Sequence, residues 1–200
     1  MLRISKCSGK LAGLKSLNTN PLTNSFCNRM AKNNKNICSV CYSRWFVKGV
    51  YNHTCYKPWE NNAKTLEKPL KDIPKINTMY FRFNAHGELI NRVNAINYYA
   101  IAEENPKVKF ALWTKRVNLV KGLDKPDNLN LIFSTPQINC KRIKIPKGFD
   151  KVFSVYSKEY AENINCGAVS CFDCAICYKK NDIVFINETL RKGIKYAKFI

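Results

Sequence analysis

The sequence predicts an α/β fold built on a largely parallel sheet. Three observations carry that expectation. Strand-length runs rich in aromatic and aliphatic residues recur from Asn77 onward, helical or turn segments of crossover length separate them, and seven of the ten cysteines fall in two groups outside this regular middle.

Residues 1–60 are expected to form loop with short helices. Asparagines and basic residues there surround Cys27, Cys38, Cys41 and Cys55 and the aromatics Tyr42, Trp45, Phe46, Tyr51, Tyr56 and Trp59, and no single period covers them. Something other than ordinary core packing is needed to organise that region. Thr78–Phe83 is a strand by its aromatic enrichment. Leu89, Val93, Ile96 and Ala100 then recur at helical spacing until Asn105-Pro106 ends the helix. Lys109–Thr114 is a second strand, Val117–Val120 a short helix closing near Gly122, Leu129–Ser134 a third strand, Lys151–Tyr156 a fourth and Asp182–Ile186 a fifth. A chain of 200 residues forms one domain. Its parts are an N-terminal cluster-binding segment over 1–60, a βα core over 77–160 and a cysteine-rich segment over 166–200.

Composition narrows the function. Few glycines and prolines mark a globular chain, no apolar run reaches the ~20 residues of a membrane span, and nothing resembles a targeting segment. The expected location is cytoplasmic, the host cytoplasm if the chain is phage-encoded. The formal charge of +20, from 34 Lys and Arg against 14 Asp and Glu, suits nucleic acid or a nucleotide as partner, because phosphates neutralised by the protein release counterions. The competing explanation is a lysine-, asparagine- and isoleucine-rich composition of the kind an AT-rich source produces. No Ser/His/Asp arrangement, P-loop or dinucleotide fingerprint is present, which leaves hydrolase and kinase chemistry without residues to run it.

In a reducing compartment, clustered cysteines point to metal. The C-terminal group, Cys166, Cys171, Cys174 and Cys177, has the spacing C-x4-C-x2-C-x2-C. Zinc is usually gripped from two separate turns, whereas successive thiolates of one loop can each reach a different iron of a cubane, so the spacing favours a [4Fe-4S] cluster with zinc as the alternative. The N-terminal group, Cys27, Cys38 and Cys41, could hold three irons of a second such cluster and leave the fourth open. A four-ligand zinc site completed by Cys7, Cys55 or His53 is the alternative there. The scattered Cys7, Cys55 and Cys140 otherwise read as buried apolar residues.

Working residues of parallel α/β folds sit at the carboxyl ends of strands. Here those ends read Asn84-Ala-His-Gly-Glu88, Thr114-Lys-Arg116, Ser134-Thr-Pro136 and Ser157-Lys158. Arg82, Lys115 and Arg116 would face that end, where an arginine can clamp a carboxylate or phosphate. Glu88 could instead cap the following helix.

A cysteine trio ending in Cys-x-x-Cys-aromatic, followed by βα units with a Gly-Glu pair closing an early strand, resembles the radical S-adenosylmethionine enzymes. The resemblance implies a partial (βα) barrel, an enzyme supplied by an electron donor, cluster ligation by Cys27, Cys38 and Cys41, and S-adenosylmethionine held by His86, Gly87 and Glu88, with Val40 or Tyr42 near its adenine; Arg82, from its strand-end position, would suit the same cofactor. The layout is also similar to a family of short phage proteins. The shared features are the start Ser5-Lys-Cys-Ser-Gly-Lys-Leu11, the motif Cys38-Ser-Val-Cys41-Tyr42, the strand ends Arg82-Phe83 to Gly87-Glu88 and Trp113-Thr-Lys115, and the cysteine-rich C-terminus.

Overall fold

A computed structural model describes residues 1–49, 51–140, 144–160 and 163–190. Seven strands make one sheet: β1 (Ile4–Lys6), β2 (Lys15–Leu17), β3 (Tyr80–Phe83), β4 (Lys109–Thr114), β5 (Leu129–Ser134), β6 (Lys151–Tyr156) and β7 (Phe185–Thr189). They lie side by side in chain order, β1 antiparallel to β2 and every later pair parallel. Parallel neighbours need a crossover, and helices supply it everywhere except between β5 and β6, where no helix is found among the described residues. The helices are α1 (Ser25–Ala31), α2 (Tyr42–Lys48), α3 (Asn52–Leu66), α4 (Arg92–Glu103), α5 (Val117–Val120) and α6 (Cys171–Cys174). Strand order that never reverses is the winding of a barrel rather than of a doubly wound sheet. Among the described residues the sheet stays open, with β1 paired only to β2 and β7 only to β6.

Alternation along the strands divides the side chains between two faces. Phe81, Phe83, Phe110, Leu112, Leu129 and Leu131 meet Leu66 of α3 and Ala95, Tyr98, Ile101 and Ala102 of α4 in the main core. Tyr98 stacks on Phe83 with ring centroids 4.2 Å apart, and Phe83 stacks on Phe110 at 5.1 Å. The alternate residues Tyr80, Ala111, Trp113 and Ile132 form a second apolar cluster with Leu14, Ala175 and Tyr178, and partly buried Cys7, Cys171 and Cys177 pack against it. Helices therefore cover one face of β3–β5, and the chain ends that carry the cysteines cover the other.

Four elements match the sequence reading to the residue: β4, α5, β5 and β6. Strand β3 starts at Tyr80 instead of Thr78 and α4 at Arg92 instead of Leu89, because Asn91 caps the helix, its side chain accepting the Asn94 N–H at 2.9 Å. The last strand runs Phe185–Thr189, shifted from Asp182–Ile186 by its pairing of Phe185 with Val152. Residues 1–60 are more ordered than loop: they contribute two strands and most of the fifteen-residue α3, whose Trp59 and Leu66 are buried. Part of the segment assigned to 166–200 extends past Leu190 and lies outside the described residues. No helix among those residues is long and apolar enough to cross a membrane.

Candidate functional site

A cavity of about 220 Å³ lies against the sheet face opposite α3 and α4. The strands supply Arg82, Trp113, Ser134, Phe153 and Val155 to its lining, the N-terminal region Lys10, Cys38, Cys41 and Tyr42, and the C-terminal region Cys166, Cys171, Cys177, Tyr178 and Glu188. Thiols more than a hundred residues apart in sequence thus open onto one space.

Local hydrogen bonding explains how each group reaches it. Asn24 caps α1, its side-chain oxygen accepting from the Phe26 and Cys27 N–H groups, while its amide donates to the Glu88 carbonyl at 3.0 Å. That one asparagine ties the first turn of α1, and Cys27 with it, to the end of β3. Cys38 sits on a 3-10 turn, Ile37–Val40, moored to the end of β5 by the Ile37 N–H on the Pro136 carbonyl at 2.8 Å. Cys41 closes the turn through its N–H on the Cys38 carbonyl at 3.3 Å and begins α2. Burial pushes the Cys27 thiol well up, and the Glu88 carboxylate, Cys41 and Cys38 push the same way while Lys115 opposes them.

The C-terminal group is held to β7, β5 and the N-terminal region. Cys166 donates its N–H to the Asn187 carbonyl, and the Asn130 amide holds the carbonyls of Cys177 and Lys179. Ser170 caps α6, and Ala175 ends it in the left-handed conformation with φ 50°. All four cysteines line a small void of about 20 Å³. Burial pushes Cys177 up to about 12, with Cys166, Cys171 and Cys174 adding to the rise and Arg82 opposing it. Lys10 clasps this group from the other end of the chain, its Nζ 2.9 Å from the Cys166 carbonyl, 3.3 Å from Cys166 Sγ and 3.1 Å from Glu188 Oε1. Among the described residues, no group of three or more His, Cys, Asp or Glu side chains stands in an arrangement that could hold a metal ion.

The cofactor residues expected from sequence divide. Gly87 and Glu88 line the cavity, as do Arg82 and Tyr42, but His86 does not. Its ring stacks on Trp59 at 4.5 Å and Phe46 at 5.1 Å, meets Tyr42 edge-on, and shares a hydrogen bond with the Ser43 hydroxyl at 3.0 Å. The imidazole fills an aromatic box between α2 and α3 and is turned from the place the resemblance implied. Gly87 has φ 91°, and a Cβ there would collide with the side chain and carbonyl of Thr19. Glu88 is buried and does not cap α4. Its Oε1 accepts from the Thr114 hydroxyl at 2.6 Å and the Leu89 N–H at 2.8 Å, and its Oε2 from the Lys115 N–H at 3.0 Å. Tyr42 donates its hydroxyl to the Ala85 carbonyl at 2.9 Å.

Other residues land elsewhere. Arg116 turns back onto the Leu89 and Ile90 carbonyls, and Lys115 reaches Ser134 Oγ at 2.8 Å. None of the scattered cysteines is fully buried. Cys7 packs beside the C-terminal group, Cys55 lies next to the Thr54 hydroxyl on α3, and Cys140 stays partly exposed. Cys7 is therefore placed with Cys171 and Cys177 rather than as a fourth ligand of the N-terminal trio. Sequence reasoning missed Trp113, Tyr178, Lys10 and Glu188 as site residues. The one signal available was a repeat: Cys177-Tyr178 echoes Cys41-Tyr42, and both pairs reach the cavity.

A family model described as Gene product 88 matches residues 12–195. No curated protein and no solved structure matches the chain.

Proposed function

The chain belongs to the Gene product 88 family, a phage protein family, and we propose that it is an iron–sulfur protein with two centres opening on one cavity. The observation that carries the reading is the meeting of Cys38 and Cys41 with Cys166, Cys171 and Cys177, from opposite ends of the chain, in one cavity on the sheet face opposite α3 and α4; Cys27 and Cys174 do not line it. The chemistry of the donors, not their placement, favours iron: among the described residues no three of them stand as a metal site, but all are thiols, three in one group and four in the other, and cubane corners separate successive thiolates more than a single ion does. Cys27, Cys38 and Cys41 would hold one cluster, and Cys166, Cys171, Cys174 and Cys177 the other. Bound there, such clusters supply one-electron chemistry.

The chain's own residues do the rest. Asn24 and the Pro136 carbonyl fix the N-terminal thiols against the sheet, Lys10 and Asn130 fix the C-terminal ones, and Trp113, Phe153 and Tyr178 limit water in the space between. Three protein ligands leave one iron for a small molecule. In a radical S-adenosylmethionine-type enzyme that molecule would be S-adenosylmethionine, with Gly87 and Glu88 beside it and His86 excluded.

Anaerobic purification tests the reading. Brown protein carrying iron and acid-labile sulfide beyond one cluster's content is expected. Added S-adenosylmethionine should change the paramagnetic spectrum of the reduced sample. Colourless protein with stoichiometric zinc would replace iron–sulfur with a zinc-stabilised module. An intact cluster blind to S-adenosylmethionine would leave the iron and remove the cofactor.

A further inference from the structure

We infer that the cavity is an anion site, built to take the carboxylate or phosphate group of a small ligand against Arg82, Trp113 and Tyr178. The inference goes beyond the iron–sulfur reading and does not depend on it.

Three buried donors there have no hydrogen-bond partner among the described residues: Arg82 Nε, Trp113 Nε1 and the Tyr178 hydroxyl. Buried polar atoms are nearly always paired, and leaving a donor unpaired costs stability. Three orphans on neighbouring side chains of one cavity are therefore a demand for an acceptor. Trp113 is 8 % exposed and Tyr178 4 %, so bulk water does not meet that demand. All three side chains line the same space.

Charge agrees with the donors. The guanidinium of Arg82 lies over the Trp113 ring at 3.9 Å, which fixes its plane and leaves its N–H edge for a ligand. Lys10 and Lys115 also line the cavity. Among the described residues two carboxylates line it, and both are engaged, Glu88 by Thr114, Leu89 and Lys115 and Glu188 by Lys10. Arg82 has no carboxylate partner among the described ion pairs. A planar cation flanked by two neutral donors matches an oxyanion with several lone pairs. At about 220 Å³ the space suits a small molecule and not a polymer.

The test titrates sodium acetate and inorganic phosphate, each balanced with chloride to constant ionic strength, into the full-length protein while thermal midpoint and tryptophan fluorescence are followed. Constant ionic strength removes screening of the +20 surface as a cause. A saturable rise in midpoint is expected, larger with phosphate if the ligand is a phosphate and with acetate if it is a carboxylate. Trp113→Phe and Tyr178→Phe each delete an orphaned donor and keep the ring. They should leave the anion-free midpoint unchanged or raised, and weaken anion affinity by about tenfold each. Because neither variant is expected to unfold, the outcome does not hinge on the more disruptive Arg82→Gln. No saturable response to either anion, or variants that respond as the wild type does, overturns the inference. A response confined to iron-free protein also overturns it, since the donors would then be serving cluster thiolates. Absence of iron with the anion response intact would sink only the iron–sulfur reading.

Discussion

The Glu88 carboxylate and the Thr114 hydroxyl meet at 2.6 Å just beyond the carboxyl ends of β3 and β4. With the Leu89 and Lys115 N–H groups on the same carboxylate, Glu88 closes the gap between two neighbouring strand ends. Its side chain is a strut before it is anything else. Glu88→Ala should orphan three donors and lower stability by about 3 kcal/mol. Glu88→Gln keeps an acceptor for Thr114 but sets an amide against the Lys115 N–H, so a smaller loss is expected. Urea unfolding of the three proteins checks the order, and an alanine variant as stable as wild type would remove the strut.

The neighbouring glycine makes a sharper case. Gly87→Ala adds a Cβ that meets the Thr19 side chain and carbonyl at φ 91°, so the strand end must move and a loss above about 3 kcal/mol is expected. Gly122→Ala, at φ 70° with open space around it, carries only the left-handed penalty of about 1 to 2 kcal/mol. Equal losses would mean that backbone strain, not contact with Thr19, sets the requirement.

Much of this was legible in the sequence, and the illegible parts have physical causes. Strands β4, β5 and β6 read correctly because six-residue segments rich in aromatic and aliphatic residues and bounded by turn residues have few other conformations. Strands β1 and β2 are three residues long and carry Lys6, Lys15 and Ser16, so they have no pattern to read and exist only through pairing. The cysteine groups were legible by spacing, but their convergence was not, since it depends on the second face of the sheet. Trp113 and Tyr178 look like core residues in sequence, and only the unsatisfied N–H and O–H reveal a further use. The stacking of His86 on Trp59 and Phe46 was not legible either, because a strand-end position says where a residue begins, not which way its ring turns.

Thiol protonation gives a pH dependence. The folded metal-free protein holds Cys177 up at about 12 against an ordinary 9.0, with burial the main cause, and Cys27 is shifted the same way. A raised pKa means that the folded state keeps its proton longer than the unfolded state. The stabilisation is complete below pH 9.0 and is lost progressively as pH rises toward about 12. Unfolding of chelated, reduced protein between pH 7 and 10.5 should show the midpoint falling above 9, whereas metal uptake, which releases thiol protons, should strengthen over the same rise. A flat profile would mean that these thiols are more hydrated than their burial implies.

The basic surface gives a prediction about partners. A formal charge of +20 should bring measurable affinity for duplex DNA or RNA at low salt, with a log–log salt slope of ~0.9 per phosphate contacted. Anisotropy titrations at several salt concentrations read the slope directly. Lack of binding at low salt would assign the charge to composition alone.

Metal removal should act unevenly along the chain. The 3-10 turn that carries Cys38 and ends at Cys41 rests on one bond to Pro136 and the bridge between Asn36 and Gln137, and the segment around α6 on Lys10, Asn130 and the bonds of Asn165 and Cys166 to Phe185 and Asn187 of β7. By contrast β3, β4, β5 and α4 share the main core of Phe81, Phe83, Tyr98, Phe110 and Leu131, which contains no thiol. If metal ties the two cysteine groups down, chelation should expose residues 33–41 and 163–181 to protease and to rapid amide exchange while the sheet centre stays protected. Cys41→Ser should loosen the first segment and Cys177→Ser the second, each with loss of its own share of bound metal. Because both segments wall the same cavity, each variant should also weaken protection in the other by a smaller amount. Cleavage spread evenly over the sheet would mean that the metal supports the whole fold. Unchanged protection after complete chelation would mean that packing against Leu14, Trp113 and Tyr178 suffices to hold the segments in place.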